Sequence, residues 1–137
     1  MSKIAITVEE RAGRRCASSG SKWEPVMGYS RAVRAGGHIA VTGCVGVNAD
    51  GTYSKSLGEQ TARSLAIIQA AVEALGGTMA HVIRTRMYVT DVSRWEEVAR
   101  VHGEIFKDIR PATTIVEVAR LIDAEAQIEI EADAIVG

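Results

Sequence analysis

Between Ala126 and Val136 apolar and polar residues alternate without a fault. Ile128, Ile130, Ala132 and Ala134 fall on one face, and Gln127, Glu129, Glu131 and Asp133 on the other. A period of two is the mark of a strand. A strand with one dry and one wet face predicts a sheet that is covered on one side only.

The cover is legible upstream. Leu65, Ile68, Val72 and Leu75 recur at steps of three and four, which predicts a helix from about Leu57 to Leu75 that Gly76-Gly77 stops. At 1.5 Å per residue it would be roughly 28 Å long, enough to span a sheet. Val98, Val101 and Ile105 form the stripe of a second helix that Arg110-Pro111 ends. Ser93 is the expected N-cap, with Glu96 completing a capping box.

Further strands are expected at four places. Two lie between Tyr29 and Val47, joined by a turn at Ala35-Gly36-Gly37. In the second, Ile39, Val41 and Val45 alternate with Ala40, Thr42 and Cys44. His81 to Thr90 is a third, with Ile83, Met87 and Val89 on one face and Arg84, Arg86 and Tyr88 on the other. Thr114 to Val118 is a fourth, rich in β-branched residues. The first 28 residues read as the least regular part, with Ser18-Ser19-Gly20-Ser21 a loop and Trp23-Glu24-Pro25 extended chain. The expected fold is α+β, a single mixed sheet with two helices on one face, in the order β-β-α-β-α-β-β. Residues 1–137 are expected to form a single domain. The uncovered sheet face, together with the apolar Thr114–Val118 strand, predicts burial against further copies of the chain.

Net charge narrows the function classes. Lysines and arginines number 16 against 17 acidic residues, a net charge of -1, and the arginines are scattered apart from Arg14-Arg15. That argues against nucleic acid as a partner. No apolar run reaches the roughly 20 residues of a membrane span, so no membrane partner is expected. The Met1-Ser2-Lys3 start leads into mixed charges rather than a secretory core, and a cytoplasmic address follows. Cys16 and Cys44 are expected to be reduced and buried. No H-x-x-x-H, C-x-x-C or acidic loop points to a metal, and no cofactor is expected. His38 and His81 are read as surface residues in turns.

Several segments carry a family likeness. Pro111-Ala112-Thr113-Thr114-Ile115-Val116-Glu117-Val118-Ala119-Arg120-Leu121, followed by Ile128-Glu129-Ile130-Glu131-Ala132, resembles the C-terminal signature of the RidA/YjgF family. Tyr88-Val89-Thr90-Asp91, Gly28-Tyr29-Ser30-Arg31-Ala32 and Thr42-Gly43 resemble three further family segments. The likeness spans roughly residues 26 to 134. It implies a chorismate-mutase-like fold and a homotrimer with small-molecule clefts between neighbouring subunits. It also implies hydrolysis of enamine and imine intermediates to a 2-keto acid and ammonia.

The departures bear on that chemistry. Thr113 stands where the family pattern has an arginine that binds the substrate carboxylate. A hydroxyl cannot replace a bidentate guanidinium. Ala99 stands at a family asparagine, His102 at a tyrosine and Thr42 at a serine. Weak or absent activity on 2-aminoacrylate is therefore expected, unless Arg31 or Arg86 takes over the clamp.

The resemblance makes Glu129 the carboxylate that orients the attacking water. Read without it, Glu129 is a solvated position on a half-exposed strand. His102 is either a core histidine or a general base beside the cleft. Tyr29, Thr42, Cys44, Thr113 and Trp23 are candidate ligand contacts; each also has a bland reading as a strand former, buried thiol or packing aromatic. Cys44 has no evident basic neighbour to activate it as a nucleophile. Two functions stay open: a deaminase-like hydrolase, and a non-catalytic trimer that binds a small metabolite. The charge balance gives no support to a third, ribonuclease activity.

Overall fold

A computed structural model describes residues 4–137. The Met1-Ser2-Lys3 start lies outside the described residues. The strands are β1 (Thr7–Arg11), β2 (Arg14–Ser18), β3 (Ala32–Ala35), β4 (His38–Val45), β5 (Val82–Val89), β6 (Ala112–Glu117) and β7 (Ile128–Ile135). The helices are α1 (Trp23–Met27), α2 (Leu57–Ala74) and α3 (Trp95–Phe106). All the strands join one seven-stranded sheet in the order β1-β2-β3-β4-β7-β5-β6. Every pairing is antiparallel except β5 with β6.

The expected α+β architecture is therefore present, with α2 and α3 on one sheet face. Leu65, Ile68, Val72 and Leu75 are fully buried against Ile39, Ile128 and Ile130. Burial of each such side chain contributes roughly 1.5–3 kcal/mol. On β7 the alternation holds residue by residue, with Ile128, Ile130, Ala132 and Ala134 buried and the acidic residues between them part-exposed.

The structure corrects the sequence reading at five points. First, residues 7–18 form a hairpin, not irregular chain. Its turn residues Ala12 and Gly13 both have positive φ, 53° and 76°, as a type I′ turn requires. Second, Trp23-Glu24-Pro25 opens a helix, because proline in the first turn gives up only an N–H that has no helical partner. Gly28, in the left-handed region at φ 75°, ends it.

Third, β4 carries a bulge. Val41 faces Ala132 and Cys44 faces Ile130, so three steps on one strand oppose two on the other. The extra residue turns Cys44 onto the core face beside Val41 and leaves Val45 part-exposed. Fourth, β5 slips similarly between Val82 and Arg84, so Val82 is buried and Ile83 is 49% exposed. Fifth, Ser93 is not the cap of α3. It lies in a 3-10 turn whose cap is Asp91, which accepts from the Ser93 N–H. Phe106 rather than Ile105 completes the buried stripe of α3.

Both long connections are tied down by buried polar side chains. Gln60 donates to the carbonyls of Ser54 (2.8 Å) and Glu125 (3.0 Å) and accepts from the Gln127 N–H (2.9 Å). No helix among the described residues is long and apolar enough to cross a membrane.

Candidate functional site

The bulge in β4 organises one cluster of candidate residues. At its apex Gly43 has no side chain, and the Glu129 carboxylate of β7 lies where one would be. A Cβ there would sit 2.8 Å from Glu129 Cδ and 2.9 Å from Cγ. Beneath lies Arg31, only 7% exposed. Its guanidinium donates to Gly43 O (2.8 Å), Ser19 Oγ (3.0 Å), Cys44 Sγ (3.6 Å) and Tyr29 Oη (3.4 Å), and it lies 5.6 Å from the Tyr29 ring centre. Thr42 belongs to the same group, but its hydroxyl donates to Ser30 O at 2.7 Å.

The electrostatics follow from burial. Loss of water pushes the Glu129 carboxyl above its ordinary value; the charge of Arg31 opposes the rise and that of Glu131 adds to it. Burial pushes the Cys44 thiol up to about 11, against the pull of the Arg31 guanidinium. The sequence reading found no basic neighbour for Cys44, and Arg31 is one. Desolvation nevertheless outweighs it, so the thiol stays protonated at neutral pH. Both cysteines are free and buried.

A second cluster lies between α3 and β6. Thr85 on β5 is fully buried, and its hydroxyl sits 2.9 Å from His102 Nε2 and 2.8 Å from Thr113 Oγ1. This chain of three groups borders a pocket of about 210 Å³ with Met87, Val98 and Ile115 in its walls and Trp95 at its rim. Ala99 and Gly103, both small, leave the space open. Burial lowers the His102 pKa, so the ring is neutral at pH 7. It also stacks obliquely on Phe106, with ring centres 4.6 Å apart. Beyond His102 a shallower hollow is lined by Lys107 and Arg110.

Glu129 and the His102–Thr113 pair lie on opposite faces of the sheet. Thr113 pairs with Thr85, which points to the helices. Glu129 pairs with Tyr88, on the outer face. One chain alone therefore does not bring Glu129 to His102 and Thr113. Trp23 joins neither hydrogen-bonded group among the described residues; the Lys22 ammonium lies over its ring, 5.0 Å from the centre. Neighbouring Glu24 is buried and accepts from Ser19 Oγ (2.9 Å) and the Ser21 N–H (3.2 Å), which fixes the loop under Arg31.

Sequence reasoning missed Thr85 and the structural role of Arg31. Thr85 resembles any β-former in its strand, and only the third dimension shows what its hydroxyl bridges. Arg86, the other arginine considered as a clamp, turns toward Glu131 (3.4 Å) and Asp133 (3.5 Å) on the outer face. His38 opens β4 rather than lying in a turn, and pairs with Asp133 at 2.9 Å. No cluster of three or more metal-ligand side chains occurs among the described residues.

Comparison with known proteins places this geometry in a family. The family model for endoribonuclease L-PSP matches residues 20–136. A solved structure from Mycobacterium tuberculosis, of the YjgF/YER057c/UK114 family, is 46% identical with a TM-score of 0.84 and covers 90% of this chain and 99% of its own. A RutC family protein of Pyrococcus horikoshii is 33% identical over 80% of this chain and 87% of its own length. A 2-iminobutanoate/2-iminopropanoate deaminase of Dermatophagoides farinae is 26% identical over 79% of this chain and 85% of its own. With its single mixed sheet, its helices on one face and these matches over most of its length, the chain belongs to the YjgF/YER057c/UK114 family.

Proposed function

We propose that the chain forms a homotrimer with small-molecule clefts between subunits, and that it hydrolyses imines, enamines or related reactive metabolites there. The observation that carries this reading is the split of the candidate residues across the sheet. Glu129 lies on the outer face, while His102 and Thr113 lie on the helix side of an edge strand. A cleft using both needs a second copy of the chain. The exposure of β6, with Val116 at 43%, supports such contact.

In that cleft Glu129 is the base. A carboxylate pushed upward by burial takes a proton from water more readily than a solvated one. The water oxygen bonds to the imine carbon, the C=N pair moves to nitrogen, and nitrogen takes up a proton. The carbinolamine then collapses: its hydroxyl proton passes to nitrogen through the Glu129 carboxyl as the C–N bond breaks, releasing ammonia and leaving a carbonyl. The deaminase name of one relative supports this reaction type.

Thr113, at the position of the family's carboxylate-binding arginine, makes 2-aminoacrylate a poor substrate. Loss of a charge-assisted pair costs on the order of 1.5–3 kcal/mol, roughly a 10- to 150-fold penalty. Arg31 does not offset that loss, since Gly43, Ser19, Cys44 and Tyr29 engage its nitrogens. A second reading, a non-catalytic metabolite-binding trimer, is favoured by the committed Thr42 hydroxyl. Imines generated in situ by an amino-acid oxidase or a dehydratase and trapped with and without the protein separate the two. Faster loss of imine, smallest for the 2-aminoacrylate series, is expected. Unchanged loss across all imines contradicts the hydrolase and leaves the binder.

A further inference from the structure

We propose that the pocket between α3 and β6 takes an uncharged ligand, one with a short branched apolar body and a single carbonyl or amide group. This deepens the cleft reading above and rests on it for the wall that a second subunit would add.

The size is set by the cavity. At about 210 Å³, it is somewhat larger than the roughly 150 Å³ that admits benzene. A ligand of roughly six to eight non-hydrogen atoms fits that space. Met87, Val98 and Ile115 give it apolar walls, and the small side chains of Ala99 and Gly103 keep it open. Branched aliphatic groups pack against such a surface.

The polarity is set by the three-membered hydrogen-bond chain. His102, Thr113 and the indole N–H of Trp95 are the polar side-chain groups lining the pocket among the described residues, and none carries a charge at neutral pH. Thr85 holds one proton between them. When His102 Nε2 accepts it, the Thr113 hydroxyl donates to Thr85 and offers a ligand its lone pairs. When Nε2 donates instead, Thr85 donates to Thr113, and the Thr113 proton is left for Pro111 O (3.3 Å) or for a ligand carbonyl. An amide is served by either arrangement, through its N–H in the first and its carbonyl in the second; a ketone is served by the second. A carboxylate is served by neither, because an anion buried without a cation or several donors is strongly disfavoured. The Lys107–Arg110 hollow lies beyond the His102 ring and is open to water, where attraction for an anion is screened.

Matched pairs test the assignment. Isobutyramide against isobutyrate, and 2-butanone against 2-ketobutyrate, are titrated into the full chain at pH 7.5 by ligand-observed NMR and calorimetry. The neutral member of each pair is expected to bind at least tenfold more tightly than its acid. Ala99→Leu, which fills the pocket, is expected to abolish that binding with the oligomer mass and melting temperature kept. His102→Phe should weaken it several-fold. Equal or tighter binding of the acids overturns the proposal and transfers recognition to Lys107 and Arg110. Binding of the amide that survives Ala99→Leu, or no binding of any probe at 10 mM, roughly the weakest affinity of interest, overturns it as well. If either occurs while the protein still forms trimers and accelerates imine loss, the cleft reading stands and the ligand class alone is wrong.

Discussion

Two regions of this sheet solve opposite problems. Around the β4 bulge the groups pack closely: Arg31 is held by four acceptors, and the Glu129 carboxylate occupies the place of a Gly43 side chain. Between α3 and β6 the space is left open, and a short hydroxyl–imidazole chain borders an apolar void. The first arrangement fixes a carboxylate in position. The second leaves room for something to enter. Glu129 and the His102–Thr113 pair sit on opposite sides of the sheet.

The contrast is broken most severely at Arg31. Arg31→Met leaves Gly43 O and Ser19 Oγ without their donor in a buried setting, and we expect a loss of about 3 kcal/mol or more. Urea unfolding measures it. A loss under 1 kcal/mol would show that the cluster is looser than its geometry.

A matched pair of glycines comes next. Gly43→Ala forces the Glu129 side chain to move and should cost about 1–3 kcal/mol. Gly103 lies in α3 beside the pocket, and a Cβ there meets nothing within 4 Å. Gly103→Ala should be neutral or stabilise by about 0.5–1 kcal/mol, the usual gain for alanine in a helix. Equal effects at the two sites would erase the distinction between a packed region and an open one.

The smallest effect concerns Glu129 and pH. Its folded pKa is raised by burial. Its stabilising contribution is therefore fully present below the unfolded value, about 4.3, and is lost as pH rises through the folded value. Glu129→Gln removes that loss. The variant should match wild type near pH 4 and exceed it at pH 7. Urea midpoints at the two pH values give the sign directly, and a variant less stable at pH 7 would mean that Glu129 gains a partner elsewhere.

How much of this was legible in the sequence depended on the range of the interaction. The β7 alternation and the α2 stripe are local periodicities, and both appear in the fold as written. The bulges in β4 and β5 are not local. A single extra residue inverted the facing of Cys44 and Ile83, and nothing in the strand's own sequence signals it except Gly43. The β1–β2 hairpin was missed because all of β1 is exposed, so no hydrophobic alternation marks it. Among the candidate residues, Tyr29, Thr42, Cys44 and Glu129 do gather, and His102 meets Thr113 through Thr85. Trp23 stands apart. The placement of Glu129 on the face opposite His102 and Thr113 was invisible, since it depends on strand pairing in the sheet.

That division makes assembly the point on which function turns. Light scattering coupled to size-exclusion chromatography, run on the full chain at micromolar concentration, addresses it most directly. We expect a mass three times the 14.6 kDa of one chain. A monomer mass would leave Glu129 and the His102 pocket on opposite faces of an isolated sheet, and would contradict a cleft shared between subunits.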